Sequence, residues 1–239
     1  MPLHIHANKD DVAERTIVVG DPARAELISS LLETPRLVNS NRGLLVFTGK
    51  WRGAPVTVAT HGMGGPGAAI IFEELIQLGV KAMVRLGTTA ALKEDVRIGD
   101  LVIPNTAHYF PGGFTKMYFG DLTPSAAPSF KMLIALVKAA EKKVKRLWIA
   151  PVVSSDAFYA ETPSLADQWA RAGAVSVEME CATLFLLSML RGVASGAILV
   201  VNGSLAKPSE RMASSSELKE SILKAGEASL DALLSVYPP

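Results

Sequence analysis

Apolar runs of strand length alternate along the chain with longer segments in which apolar residues recur at helical spacing. This alternation is typical of a parallel sheet with helical crossovers. Strands are predicted at residues 16–20, 82–87, 100–109, 147–155, 174–179 and 196–202, with a hairpin over 44–62. Helices are predicted at 22–32, 66–79, 129–143, 164–173 and 181–192, and a last one begins at the capping-box pattern SSSE, 214–217. We therefore predict a three-layer α/β/α fold around a mixed, mostly parallel sheet, in a single domain over 1–239.

One segment, residues 110–128 (FPGGFTKMYFGDLTPSAAP), shows neither period and is predicted to be irregular. Its glycine, proline and aromatic content fits a ligand-binding loop or an oligomer contact. An ordinary surface loop fits equally well.

Composition excludes several classes of protein. Of 239 residues, 49% are hydrophobic and 20% charged, so a large core is expected and disorder is not. The net charge of +1 gives no basic excess for nucleic acid or an anionic membrane surface. The one cysteine, Cys181, has no partner for a disulfide and forms no metal-ligand spacing with the histidines. Without a signal core or a spanning apolar run, we expect a cytoplasmic protein that binds no metal.

Polar residues that follow predicted strands suggest an anion site, because ligands of open α/β sheets bind beyond the carboxyl ends of the strands. Gly20 and Arg24 lie in GDPAR, where a helix N-terminus offers free N–H groups. Arg85 interrupts an apolar strand and is followed by the hydroxyls of Thr88 and Thr89. Two arginines at neighbouring strand ends predict a phosphate cradle. The alternatives are a solvated arginine at a tight turn and a structural ion pair of Arg85 with a core carboxylate.

The stretch SVEMECATLF (176–185) places Glu178 and Glu180 in an otherwise apolar run. Buried carboxylates need donors, and in the absence of a nearby cation the two vicinal hydroxyls of a sugar would serve. The alternative is that one glutamate, above all Glu178, caps the following helix. In SSDAFY (154–159), Phe158 and Tyr159 could stack on a base, although closing the core is the more frequent use of aromatics.

Six motifs occur in a fixed order: GDPAR (20–24), NRGLLVFTG (41–49), HGMGGPG (61–67), RLGTTAAL (85–92), SSDAFYAE (154–161) and VEMECATL (177–184). Together they resemble the signatures of the trimeric and hexameric nucleoside phosphorylases. This superfamily includes bacterial purine nucleoside phosphorylase, archaeal methylthioadenosine phosphorylase and uridine phosphorylase. The resemblance runs from residue 4 to about 207 and implies a sheet of the phosphorylase type.

The resemblance implies reversible phosphorolysis, in which phosphate attacks C1′ of a nucleoside and releases the base and ribose 1-phosphate. Such a reaction needs positioning and charge stabilisation, with phosphate as co-substrate and no cofactor. The implied phosphate ligands are Gly20, Arg24, Arg42, Arg85 and Thr88. The implied ribose contacts are His4, Met63, Met179 and Glu180, and the implied base contacts are Thr89, Ala90, Phe158, Glu178 and Asn202. Arg85, Glu180 and Asn202 are expected to carry the catalysis.

Two of these residues are expected to act across a subunit boundary. By the resemblance, Arg42 would reach the phosphate of a neighbouring subunit's site, and His4 would reach the 5′ end of its ribose. A complete site would then require at least a dimer. We expect a homo-oligomer with shared sites, and a hexamer is the form common among such relatives.

The base end departs from the family pattern. Purine-cleaving relatives carry a Ser-Asp pair after the last strand, where this chain has Asn202 and Gly203, so the acid that protonates the purine is missing. Ala90 stands where purine enzymes usually have glycine. Uridine phosphorylases have a glutamine- and arginine-bearing loop after the FY pair, and FYAETPSLADQW has neither residue before Gln168. An amide N–H of Asn202 could partly replace the acid.

Three activities are therefore compared. A nucleoside phosphorylase is favoured, with a purine nucleoside or methylthioadenosine slightly preferred over uridine. A nucleosidase, which uses water, is opposed by the retained Arg24, Arg42 and Arg85. A non-catalytic nucleoside-binding relative would explain the missing acid.

Overall fold

A computed structural model describes residues 2–207 and 209–238 of the chain. The strands in these residues are β1 Arg15–Val19, β2 Glu33–Asn39, β3 Val46–Trp51, β4 Ala54–Thr60, β5 Ala82–Ala91, β6 Leu101–Tyr109, β7 Leu147–Ser154, β8 Ser176–Glu178 and β9 Ala194–Ser204. The helices are α1 Pro22–Ser29, α2 Gly65–Gln77, α3 Gly113–Phe119, α4 Phe130–Ala140, α5 Pro163–Arg171, α6 Cys181–Arg191 and α7 Lys219–Val236.

All of these strands belong to one mixed sheet in the order β2-β3-β4-β1-β5-β8-β7-β6-β9. Because β9 also pairs in parallel with β5, the strands β5, β8, β7, β6 and β9 close into a ring. The pairs β1–β4, β1–β5, β6–β7 and β7–β8 are parallel, whereas β2–β3, β3–β4, β5–β8 and β6–β9 are antiparallel. The predicted α/β class with a mixed, mostly parallel sheet is confirmed.

Two layers of helices cover the sheet and form separate cores with it. Helices α2 and α6 pack on one face, and α1, α4 and α7 pack on the other. Side chains of the central strands alternate between the two cores, as the pleat requires. In β1, for example, Val18 belongs to the first core, and Ile17 and Val19 to the second.

The predicted elements are present, with three differences. Strand β2 was not predicted, because it is an exposed edge strand of mostly polar residues that contains Pro35, which edge strands tolerate. The segment 110–128 is not wholly irregular, since α3 lies within it between Gly112 and Gly120. The last helix begins at Lys219, and a turn with the predicted capping contacts, in which Ser214 N–H donates to Glu217 (2.7 Å), precedes it.

None of the helices in the described residues is both long enough and apolar enough to cross a membrane.

Candidate active site

A cavity of about 620 Å³ opens beyond the carboxyl ends of β1, β4 and β5 and reaches the β8–α6 junction and the end of β9. Every site residue predicted from the sequence lines it, apart from His4. These residues are Gly20, Arg24, Arg42, Met63, Arg85, Thr88, Thr89, Ala90, Phe158, Glu178, Met179, Glu180 and Asn202. Residues that are remote in sequence thus share one wall, as the strand-end argument predicted.

Arg24 is a buried cation without a partner. The residue is 8% exposed, its Nε makes no hydrogen bond, and it forms no ion pair with any described residue. Burial lowers its pKa, and the nearby positive charge of Arg85 lowers it further. The carboxylate closest in sequence, Asp21, accepts a hydrogen bond from Ala23 N–H (2.9 Å) as the N-cap of α1. An unpaired buried charge is costly, so this geometry is compatible with the predicted role of Arg24 as an anion ligand.

Arg85, in contrast, is paired with carboxylates. Its Nε and one terminal nitrogen donate to Glu178 at 3.2 and 3.0 Å, and the same terminal nitrogen lies 2.5 Å from Glu180. Burial alone would lower the pKa of Arg85, but the Glu180 and Glu178 carboxylates outweigh it and raise the pKa. The ion pair that was the alternative explanation of Arg85 is therefore present, at the wall of the cavity.

Two further residues fix the position of the Arg85 guanidinium. A Cβ at Gly87 would lie 2.8–2.9 Å from its carbon and terminal nitrogens, so only glycine leaves room for it. On the other side, Arg85 donates to His61 Nε2 at 3.1 Å. Burial, with help from Arg85, lowers the pKa of His61 well below its ordinary value. His61 is therefore a neutral acceptor, because a guanidinium can only donate. Neither Gly87 nor His61 was predicted individually, although both lie in the motifs.

Glu178 caps α6. Its fully buried carboxylate accepts from Ser154 Oγ (2.5 Å) and from the N–H groups of Glu180 (2.7 Å) and Cys181 (2.9 Å), in addition to Arg85. Both oxygens of this carboxylate accept hydrogen bonds from interior donors, although Glu178 also lines the cavity. The capping alternative for Glu178 is therefore present, and its contact with a base stays a prediction.

Glu180 lies at the other side of the Arg85 pair and does line the cavity. It accepts from Gly64 N–H at 2.6 Å, so it also fixes the turn before α2. Burial raises its pKa despite the attraction of Arg85. The condition that no cation lies near this carboxylate is not met, since Arg85 does. Sugar hydroxyls would thus have to bind beside the ion pair.

Ala90, Phe158 and Asn202, which are predicted to contact the base, line the same cavity. Asn202 is an extra residue in β9, because Thr89 is opposite Val201 and Ala90 is opposite Gly203. This bulge interrupts the ladder next to the site, where bulges commonly redirect a side chain.

Met212 and Glu161 also line the cavity and were missed. Met212 covers Gly203, where a Cβ would lie 2.9 Å from the methionine Cγ. Of these two, only Glu161 could have been found from the sequence, because it is the last residue of the motif SSDAFYAE. Tyr159 is 99% exposed and contributes neither to the core nor to the cavity lining.

His4 and Arg42, which are predicted to act across a subunit boundary, differ in their position relative to the cavity. His4 lies away from the cavity, and its Nδ1 is 2.7 Å from Glu74, whose carboxylate also accepts from backbone N–H groups of the N-terminal segment. Arg42 is exposed, lines the cavity of its own chain and adopts a left-handed φ of 56°. Strained backbone of this kind is often found at binding sites. Whether either side chain reaches a neighbouring subunit stays a prediction.

Within residues 2–207 and 209–238, no three His, Cys, Asp or Glu side chains are grouped as metal ligands.

Known proteins resemble the whole chain. Residues 14–237 match the family model described as the phosphorylase superfamily. Guanosine phosphorylase of Halorubrum lacusprofundi is 35% identical over 214 residues, which cover 90% of this chain and 88% of that protein. Purine nucleoside phosphorylase DeoD-type of Clostridium perfringens is 34% identical over 238 residues, covering 99% and 100%. Uridine phosphorylase of Thermococcus kodakarensis is 33% identical over 214 residues, covering 84% and 76%.

Proposed function

The chain belongs to the phosphorylase superfamily, and we propose that it is a nucleoside phosphorylase that prefers a purine nucleoside or methylthioadenosine. The enzyme class is that of its relatives, which are pentosyltransferases. The proposed reaction is reversible phosphorolysis to the free base and ribose 1-phosphate.

One observation carries the phosphate-dependent reaction: Arg24 is a buried cation without a partner at the N-terminus of α1, on the wall of a nucleoside-sized cavity. A hydrolase that uses water has no charge to place there. Arg85 stands near enough to depress the pKa of Arg24, and Gly20 and Thr88 line the same wall. Phosphate would satisfy the free N–H groups of Arg24 and offset the repulsion between the two arginines.

We assign the ribose to the region of Glu180, Met179 and Met63. Glu180 accepts the 2′ and 3′ hydroxyls in this proposal, and the methionines pack against the sugar. C1′ then lies between the phosphate and the base, so attack needs little reorganisation of the two substrates. Positive charge that develops on the ribose is stabilised by the phosphate and by the Glu180 carboxylate.

At the base end, Phe158 and Ala90 contact the ring, with Thr89 behind it. The Thr89 hydroxyl already donates to the Val177 carbonyl (2.8 Å), so this side chain shapes the pocket and offers no donor of its own. Asn202 offers an amide to a base acceptor. Uridine is the alternative substrate, because Gly203 stands where purine-cleaving relatives carry the acid.

We further propose that the enzyme acts as a homo-oligomer, with a hexamer as the expected form, and that it needs no metal or organic cofactor. Arg42 and His4 would complete the site of a neighbouring subunit. A cytoplasmic location fits the proposed salvage reaction.

A screen of nucleosides tests the proposal. Inosine, guanosine, adenosine, methylthioadenosine and uridine are incubated with and without phosphate, and free base and ribose 1-phosphate are measured by chromatography. We expect cleavage that requires phosphate and is fastest with a purine nucleoside. Cleavage at the same rate without phosphate would establish a nucleosidase instead. Tight base binding without turnover would establish a non-catalytic binding protein.

A further inference from the structure

The carboxylates of the cavity differ in how many of their hydrogen-bonding positions are occupied. Those that line it are Asp21, Glu161, Glu178 and Glu180. Asp21 caps α1, Glu178 caps α6 and pairs with Arg85, and Glu180 binds Gly64 N–H and Arg85. Glu161 alone has neither an arginine nor a backbone N–H on its carboxyl group.

The surroundings of Glu161 favour its neutral form. It is half-buried at the end of the turn that contains Phe158, and its own N–H donates to the Phe158 carbonyl. Burial raises the pKa of the Glu161 carboxyl, and a hydrogen bond from the Ser155 hydroxyl opposes this only in part. The other charged groups of the cavity lining are Asp21, Arg24, Arg42, Arg85, Glu178 and Glu180, and none forms an ion pair with Glu161 in the described structure. A partly buried carboxyl group without a cation keeps its proton to a higher pH than a solvated one.

The position of Glu161 matches a gap in the proposed site. A purine that leaves from C1′ needs a proton on a ring nitrogen, and the residue from which relatives supply it is Gly203 here. Met212 covers Gly203, and glycine has no side chain that could supply the proton. Asn202 can donate a hydrogen bond but cannot give up a proton. Glu161 lines the same cavity as Phe158 and Asn202, next to Phe158 in the chain, and is the lining acid whose carboxyl group has no arginine or backbone N–H partner among the described residues.

We propose that Glu161 is the general acid that protonates the departing base, an inference that rests on the proposed phosphorylase function. A phosphate oxygen forms the bond to C1′ while the bond from C1′ to the base nitrogen breaks, and its electron pair moves onto the base. The Glu161 carboxyl gives its proton to a ring nitrogen of the base and becomes a carboxylate. Water reprotonates it after the base leaves. In the reverse reaction, the carboxylate accepts the proton.

The test compares Glu161→Gln with the wild type on two purine substrates. Inosine releases hypoxanthine, which is a poor leaving group as an anion and needs the proton. In 7-methylinosine the base carries a positive charge, so it leaves as a neutral molecule without a proton from the enzyme. We expect kcat/KM for inosine to fall about 10²–10⁴-fold in the variant, as for other general acids. The value for 7-methylinosine should stay within about threefold of the wild type. If uridine is the substrate cleaved, uridine and 5-fluorouridine replace the pair, because 5-fluorouracil leaves more readily as an anion.

A pH profile gives a second readout that a structural role would not change. Wild-type kcat/KM for inosine should fall as the pH rises through the raised pKa of Glu161, and this fall should be absent in Glu161→Gln. Asp167→Asn, at an exposed position of α5 outside the cavity, is the matched control and should retain both the rate and the profile. Equal losses with inosine and 7-methylinosine, or no loss with either, would overturn the inference while leaving the phosphorylase intact. A wild type that cleaves neither substrate in phosphate would overturn the proposed function, and the role of Glu161 with it.

Discussion

Replacing Arg24 by methionine separates an anion-binding role of this side chain from a structural one. Arg24 is buried but makes no ion pair, and its Nε has no acceptor in the described structure. Methionine keeps most of the length of the side chain and removes a charge whose burial is costly. The free energy of unfolding without phosphate should therefore stay the same or increase by up to about 1 kcal/mol.

Phosphate binding should respond in the opposite direction. A hydrogen bond to a charged group contributes about 1.5–3 kcal/mol. Because about 1.4 kcal/mol corresponds to a factor of ten, the Kd for phosphate should rise about 10- to 100-fold. At a phosphate concentration 100 times the wild-type Kd, binding stabilises the wild type by about 2.7 kcal/mol. For a chain of this size that raises Tm by about 5–11 °C. A variant with a 100-fold weaker site would gain only about 0.4 kcal/mol, or about 1–2 °C.

Thermal unfolding with and without phosphate measures both effects in one experiment. Arg36→Met is the control, because Arg36 is exposed and pairs at the surface with Asp11 (2.8 Å), far from the cavity lining. This variant should keep the full phosphate shift. If Arg24→Met lowered Tm by several degrees in phosphate-free buffer and kept the wild-type shift, Arg24 would be a structural residue. The principal support for a phosphate site would then be lost.

Three further substitutions test the surroundings of the site and the last helix. In Gly87→Ala the added Cβ would lie 2.8–2.9 Å from atoms of the Arg85 guanidinium, so it should displace this group and lower kcat/KM by about tenfold or more. Gly67→Ala is the control and should have little effect, because a Cβ added there meets nothing within 4 Å. Glu178→Gln should lower the free energy of unfolding, measured in urea, by about 3–5 kcal/mol, because it leaves Arg85 partly unpaired in the interior. Backbone and side-chain hydrogen bonds lower the pKa of Glu217 to about 2. Its stabilisation should therefore be complete above about pH 4.5, the ordinary value for glutamate, and be lost as the pH falls towards 2, so that Glu217→Gln and wild type converge in acid.

Most of the fold could be predicted because the burial of an element determines the spacing of its apolar residues in the sequence. Strands such as β1, β5 and β9 are buried on both faces and read as apolar runs, and α4 and α6 show helical spacing. Strand β2 has no such signal, since it lies at an exposed edge of the sheet and is held by backbone pairing with β3. Helix α3 was missed because its glycine-bounded segment is short and mostly faces solvent.

The composition of the site could be predicted, but its pairings could not. Motifs at strand ends identify which residues meet, because the topology brings those ends together. Whether Arg85 meets phosphate or a glutamate 93 residues away depends on distances of a few ångströms. The spacing of apolar and polar residues in the sequence carries no information about such distances. For the same reason the sequence could not show that Met212 covers Gly203, which follows from the path of the chain after β9.

The two glutamates that frame Met179 differ in acceptor capacity, and this decides which of them can bind a sugar. A carboxylate offers about four acceptor positions. Glu178 already receives Ser154 Oγ, two nitrogens of Arg85 and backbone N–H groups at the start of α6, so no position remains for a ligand. Glu180 receives one N–H, from Gly64 at 2.6 Å, and one nitrogen of Arg85 at 2.5 Å, on different oxygens. About two acceptor positions therefore remain on Glu180, one on each oxygen, which is the number that the 2′ and 3′ hydroxyls of a ribose require. The Arg85 pair orients this carboxylate without filling it, so the ion pair and the proposed ribose site can coexist.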